Sequence, residues 1–326
     1  MKLGLYFDLR NPEAWRRPWA DHYAQTLEWM QGAENLGAES IWVTEHHFFE
    51  DGYLPQPLTL AAAIAARTRR VRIGTAVLLA PLYPAVSIAE DAALVDLISG
   101  GRLELGLGAG YVRPEFEAYG ADRSKRFATC DARILEVRDL LEEGGVTPPP
   151  VQNPFPLWAG YLGPRGARRA GRLGTGLLNL NPDFLEPYRQ GLAEGGHDPR
   201  SARMGGVLSL LCADDPEEAF ERVLPHLQHQ LNTYRQGNYA GSGREARLLS
   251  LDELRSARRA SGPIQPLEVL TAEDAARRIR ELTAGLPAEH VYLWASVAGM
   301  PDDLVERHIE LTSTTLREAL AEADPD

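Results

Sequence analysis

A single (β/α)8 TIM barrel is the fold the sequence predicts. Short β-rich apolar runs alternate strictly with longer stretches of helical spacing, the pattern of a parallel sheet with helical crossovers. Eight such units in about 300 residues match one closed barrel. No linker or composition shift divides them, so one domain over residues 1–326 is expected. An open doubly wound sheet with a cap domain is the alternative.

The units follow in order. Leu3–Phe7 reads as the first strand and Asp21–Leu36 as its helix, with Gly37 just past the end. Ser40–Thr44 is followed by Pro57–Arg67, whose proline stands at a helix start. Val71–Leu79 reads as one long strand before the helix Val86–Ile98, which Gly100 closes. Leu103–Leu107 precedes Arg126–Leu141 across a connection, Gly108–Lys125, too long to be an idle turn. After the stiff spacer Thr147-Pro148-Pro149-Pro150, Pro156–Ala159 leads through a glycine-bearing turn into Arg165–Arg172. Thr175–Asn179 leads to Asp183–Glu194, and Met204–Leu211 to Pro216–His229, announced by Asp215-Pro216. A polar stretch, residues 230–266, is expected as a lid inserted after the seventh strand. His290–Trp294 and Asp302–Glu322 complete the series.

Composition narrows the classes. Apolar content of 44% and charged content of 25% are those of an ordinary globular protein. A net charge of −12 argues against a nucleic-acid partner, because phosphate binding wants a basic face. Cys130 and Cys212 are far apart, which offers neither a disulfide framework nor a zinc site. The start turns polar by Asp8 and Arg10, and no apolar run nears the roughly 20 residues of a membrane span. The expectation is a cytoplasmic chain with no membrane and no metal.

Glu45-His46-His47 is the most informative motif. Two imidazoles and a carboxylate cannot be buried without hydrogen-bond partners, and at a strand's carboxyl end they reach the rim where barrel chemistry collects. A capped strand end with two half-exposed histidines is the plainer reading. Gly106, Gly108 and Gly110 strip one strand face of side chains, which suits either a flat ring or tight packing inside the barrel. Gly160-Tyr161-Leu162-Gly163-Pro164-Arg165 joins a strand to a helix, where free N–H groups and Arg165 favour an anion. Ordinary strand–helix loops share that form. His226 and His229 have helical spacing without a third ligand and read as surface residues. No Rossmann fingerprint, P-loop, GxSxG or HExxH occurs.

Several stretches together resemble the bacterial luciferase-like flavin-dependent monooxygenases. They are Trp42–Phe48, Val71–Val77, Ile88–Asp91, Ser99–Tyr111, Glu115–Gly120 and Ala298–Pro301, co-linear over nearly the whole chain. The resemblance implies a barrel binding FMN, or in one branch a deazaflavin coenzyme, at its carboxyl mouth. It implies that His46 stands beside the isoalloxazine, that Ala76-Val77 is a non-prolyl cis peptide against the ring, and that Gly160, Tyr161, Leu162 and Gly163 meet the phosphate. Gly108 and Ala109 stand where the light-emitting subunit has a cysteine and an arginine, so light emission is not implied. In place of that arginine, Arg165 is the residue expected to meet the phosphate.

The expected activity is that of a two-component monooxygenase. With no nicotinamide motif, reduced FMN would come from a flavin reductase and react with O2 on a small organic substrate. His46 would move protons, with Glu45 or His47 orienting it. Tyr6, Phe48, Tyr111 and Trp294 would line the substrate pocket. Deazaflavin-dependent hydride transfer and a non-catalytic flavin-binding barrel are the alternatives. The small-residue helices at Ala61–Ala66 and Ala89–Ala93 suggest a homodimer, as in luciferase-like proteins.

Overall fold

The structure is a computed structural model that describes residues 1–258 and 267–322. Its strands, in chain order, are β1 Lys2–Phe7, β2 Ser40–Val43, β3 Arg72–Thr75, β4 Leu78–Leu79, β5 Leu103–Gly108, β6 Leu157–Ala159, β7 Gly176–Leu178, β8 Met204–Leu208, β9 Leu210–Cys212, β10 Glu268–Leu270 and β11 Ala288–Trp294. The helices are α1 Trp19–Leu36, α2 Pro57–Arg67, α3 Ala85–Ser99, α4 Arg113–Ala118, α5 Arg126–Glu142, α6 Gly163–Arg172, α7 Leu185–Glu194, α8 Pro216–Tyr239, α9 Leu251–Arg258, α10 Ala272–Thr283, α11 Asp302–Leu311 and α12 Arg317–Ala321.

Parallel pairing runs β1-β2-β3-β5-β6-β7-β8-β11 and returns to β1, so the sheet closes into the expected (β/α)8 barrel. Closure excludes the open-sheet alternative. The end signals hold: Gly37 and Gly100 terminate α1 and α3 in the left-handed conformation, and the Asp215 side chain caps α8 by accepting from the Glu217 and Glu218 amides.

Three readings need correction. Val71–Leu79 is not one strand: β3 pairs with β2 and β5, β4 pairs with β5 alone, and between them the Ala76–Val77 peptide is cis. Met204–Leu211 also divides. β9 leaves the barrel after β8 and finds its own parallel partner in β10. Finally, α10 is a helix that the apolar pattern does not announce. It buries Ala272, Ala275, Ala276 and Ile279 and follows β10, so it belongs to the extra β9–β10 pairing that the eight-unit reading leaves out. Of residues 230–266, the first ten continue α8, Leu251–Arg258 forms α9, and residues 259–266 lie outside the described residues.

Strand alternation divides the interior in two. Leu3, Leu5 and Phe7 join the shell between barrel and helices, whereas Tyr6 joins Trp42, Trp158, Leu178 and Tyr292 inside the bore. Trp42 stacks on Tyr292 with ring centres 4.7 Å apart and meets Trp158 edge-on at 6.4 Å. Such rings fit only because neighbouring strands offer no side chain there. A Cβ on Gly74 would stand 2.2 Å from the Trp42 ring, and one on Gly176 2.2 Å from the Trp158 ring. Lower in the bore, Glu104 is buried but paired, accepting from Trp158 Nε1 at 2.7 Å and from Arg72.

Gly74→Ala should therefore destabilise the barrel by about 1–3 kcal/mol, the usual cost of overpacking a filled core. A urea midpoint equal to wild type would show that Trp42 yields freely and that the bore is looser than described.

Candidate active site

The segment after β2 carries Thr44-Glu45-His46-His47 onto the barrel's carboxyl rim, all four buried. The His46 amide donates to Leu54 O at 3.0 Å, which fixes the backbone. Its ring is held at Nδ1 by Glu115 Oε1, 2.8 Å away, and the same oxygen accepts the His47 N–H at 2.9 Å. A carboxylate only accepts, so Nδ1 donates to Glu115, and in the neutral ring the lone pair is then on Nε2. Tyr53 and Tyr111 meet the His46 ring edge-on at 4.8 and 5.3 Å, and Phe49 lies at 4.9 Å. Glu115 lies fully buried on α4, and its Oε2 has no partner among the described residues.

Glu45 and His47 do not orient His46, as the sequence suggested; they bind each other, His47 Nε2 to Glu45 Oε1, at 2.8 Å. Tyr83 adds its hydroxyl to the same carboxylate oxygen at 2.6 Å. Sequence reasoning misses Glu115 because its partner stands 69 residues away and α4 hides in the long connection after β5. The available signals are a proline–acid pair, Pro114-Glu115, of helix-start type, and the family-like stretch Glu115–Gly120 that this residue opens.

A second buried group covers the mouth. Arg10, fully buried, donates to Asp51 Oδ2 at 2.7 Å and to Thr233 on α8, with Asp8 3.3 Å from its Nε. Its guanidinium lies 4.4 Å from the ring centre of Tyr53 and 4.7 Å from that of Tyr234. His229 Nε2 meets Asp51 at 2.8 Å, and His226, ring to ring with Trp15 at 3.9 Å, reaches Ala298 O at 3.1 Å. His226 is thus buried and not a surface residue, whereas His229 is half-buried with its ring on Asp51. They pin α8 over the strand ends. Leu9, between Asp8 and Arg10, adopts a positive φ of 58°, a conformation that only surrounding contacts maintain in such a residue.

The remaining predicted site residues separate into those at the mouth and those away from it. Tyr6 donates its hydroxyl to Ala76 O, and Trp294 lies against it at 4.6 Å. Tyr111 packs on His46, but Phe48, at φ 62°, is 68% exposed beside His47 and lines nothing with the others. Ala76 and Val77 are half-buried on the bore aromatics. The space before Gly108 and Gly160 is taken by Val77, whose side chain a Cβ at either position would meet at 2.3 or 2.4 Å. At the phosphate turn, the Tyr161 side chain points into the core and bonds Asp131 at 2.6 Å, so only its backbone faces the turn. Leu162 is 82% exposed, Gly163 has φ +73° with open space where a Cβ would be, and Arg165 is exposed. The turn and the amino end of α6 therefore leave room for an anion, as a flavin phosphate requires. No group of three or more metal-ligating side chains occurs among the described residues, nor a helix long and apolar enough to cross a membrane.

A closed parallel barrel with a buried histidine–carboxylate pair at its carboxyl mouth has the architecture of a barrel enzyme, whose chemistry collects at that rim. The chain belongs to the luciferase-like monooxygenase family, whose sequence model matches residues 1–318. It is similar to the crystal structure of the monooxygenase RslO1 of Streptomyces bottropensis, at 25% identity and a TM-score of 0.75, covering 99% of both chains. It is 33% identical to the F420-dependent glucose-6-phosphate dehydrogenase of Amycolatopsis mediterranei over 50% of this chain and 55% of that one. It is 36% identical to the oxygenase component of the flavin-dependent trigonelline monooxygenase of Acinetobacter baylyi over 29% of this chain and 26% of that one. The matches span 31% to 69% of the length of the first curated relatives. The relatives it matches thus include both a flavin-dependent monooxygenase component and an F420-dependent dehydrogenase.

Burial raises the Asp8 carboxyl from 3.8 to about 6, against the pull of Arg10. Between those values the unfolded chain has released this proton and the native one has not, so raising pH favours unfolding through this group. The cost is absent below about pH 4 and complete above about pH 6. Asp8→Asn removes it. The stability of wild type relative to Asp8→Asn should fall as pH rises through that window, read from paired urea denaturations. A pH-independent difference would mean that Asp8 titrates as an ordinary carboxyl.

Proposed function

We propose that this chain is the oxygenase of a two-component flavin monooxygenase, taking reduced FMN from a separate reductase and using O2 on a small organic substrate. The observation that carries this reading is the buried His46–Glu115 pair enclosed by Tyr53 and Tyr111. The flavin ring would lie at the Ala76–Val77 step, and its phosphate at the Gly160–Gly163 turn with Arg165 beside it. When bound, FMN supplies the electrons and the oxygen reactivity. The protein's part is proton control. His46 Nε2 accepts or returns a proton, while Glu115 holds the ring in one tautomer. Helix α8 acts as the lid, keeping water from the mouth through the Arg10–Asp51–His229 contacts. Tyr111 and Trp294 border the substrate.

Deazaflavin-dependent hydride transfer is the second reading, favoured by the F420-dependent relative. The same histidine would then exchange a proton with an alcohol or carbonyl oxygen. Oxygen separates the two, since only the first consumes it.

His46→Ala should keep the barrel and most FMN affinity while product formation falls about 10²–10⁴-fold, the usual share of a general acid–base group. Reduced flavin should then be oxidised with release of hydrogen peroxide. His47→Ala should do less, because that ring faces Glu45. The measurement is product formed per reduced FMN oxidised; undiminished coupling in the His46 variant would remove this residue from the role.

The proposed assembly is a homodimer. The outer face of α3 leaves Val86, Leu94, Leu97 and Ile98 exposed, an apolar stripe of the kind that pairs across a two-fold axis. Sedimentation should give about twice the chain mass of 35.9 kDa at micromolar concentration. A monomer mass, or a dimer that survives Leu94→Glu and Ile98→Glu together, would reject this face.

A further inference from the structure

We infer that Glu45 is a positioning residue for the cofactor platform: its buried carboxylate sets the backbone of the Ala76–Leu79 step on which a flavin ring would rest. The inference builds on the flavin reading above. It departs from the expected partnership with His46, which belongs to Glu115 instead.

The carboxylate is buried and every contact to it is directional. Oε2 accepts the Leu79 N–H at 2.7 Å. Oε1 accepts the Tyr83 hydroxyl at 2.6 Å and faces His47 Nε2 at 2.8 Å. His47 is in turn braced at Nδ1 by the Tyr119 hydroxyl at 3.3 Å. Leu79 is the point where the chain regains the barrel after its departure at Thr75, since β4 pairs with β5 at Leu78↔Leu107 and Leu79↔Gly108. The departing segment is held from its other end as well. The Ala76 N–H donates to Val43 O at 2.7 Å, and the Ala76 carbonyl accepts from Tyr6. Between these two clamps Val77 drops its side chain into the notch left by Gly108 and Gly160. Of these constraints, the Ala76 N–H bond is backbone to backbone and the Val77 notch is a packing contact; Tyr6 and Glu45 supply the two side-chain hydrogen bonds, and of that pair only Glu45 brings a carboxylate.

The chemistry of that acceptor makes a sharp comparison possible. In Glu45→Gln the side chain can present its amide oxygen to Leu79 N–H and its NH2 to the oxygen of Tyr83 and to Nε2 of a His47 ring in its other tautomer, whose Nδ1–H then donates a hydrogen bond to the Tyr119 oxygen. Aspartate keeps the charge but draws the carboxylate back by one methylene, out of reach of Leu79. Reach, not charge, should therefore decide.

The experiment measures two quantities on the intact protein for wild type, Glu45→Gln, Glu45→Asp and Glu45→Ala. The first is amide hydrogen exchange over residues 76–83 in the flavin-free protein. The second is FMN affinity, read from the quenching and fine structure of the bound-flavin spectrum. Glu45→Gln should keep the exchange protection of Leu79 and hold FMN within about threefold of wild type. Glu45→Asp and Glu45→Ala should lose that protection locally and weaken FMN by about tenfold or more. Glu45→Asp serves if the alanine variant does not fold. Unchanged protection and FMN affinity in a folded Glu45→Asp or Glu45→Ala would overturn the inference, as would a Glu45→Gln no better than Glu45→Asp. If wild type takes up neither FMN nor deazaflavin, the flavin reading fails, while the exchange at Leu79 still decides whether Glu45 sets this backbone.

Discussion

The barrel bore is filled with aromatic rings, and the inward glycines of neighbouring strands are the condition that permits it. Trp42 occupies the space over Gly74, Trp158 that over Gly176, and Val77 that over Gly108 and Gly160. Large beside absent side chains gives a close-packed interior without strain in the strands. The bore is thus filled through its middle, which leaves the carboxyl mouth as the face where the buried polar residues gather. There, the strand ends hold polar residues that the aromatic layer supports from below.

Those polar residues are almost all buried, which is costly unless each is partnered. The structure meets the cost by sharing acceptors. One oxygen of Glu115 serves a ring and a backbone amide; one oxygen of Glu45 serves Tyr83 and His47. Asp51 is shared by Arg10 and His229, so the helix above the mouth and the strand below it answer to the same carboxylate. These links span elements distant in sequence. They cross-link the loops of the rim to one another and to α4 and α8, the kind of support that holds a histidine in one direction.

Family membership and chemistry are separable in such a site. A histidine under an aromatic cage would serve oxygen insertion and hydride transfer alike, because both need a proton managed next to a planar ring. The cofactor's own oxygen reactivity distinguishes them, and the surroundings of His46 are compatible with either.

The periodic part of the fold is legible in the chain before it folds. Eight strand–helix alternations, the glycine helix ends at 37 and 100 and the Asp215 cap are local signals, and each reads the same in isolation as in the fold. The motif at 45–47 and the small residues at 74–77 are legible as a mouth for the same reason: both stand at strand ends. Partner choice is not local. Glu115 reaches His46 across 69 positions, Leu79 reaches Glu45 across 34, and His229 reaches Asp51 across 178. The split of the third strand and the departure of β9 depend on which neighbour supplies the next hydrogen bond. Hydrophobic period reports which face of an element is buried, whereas the pairing of buried polar groups is fixed only when closure brings distant strand ends to one rim.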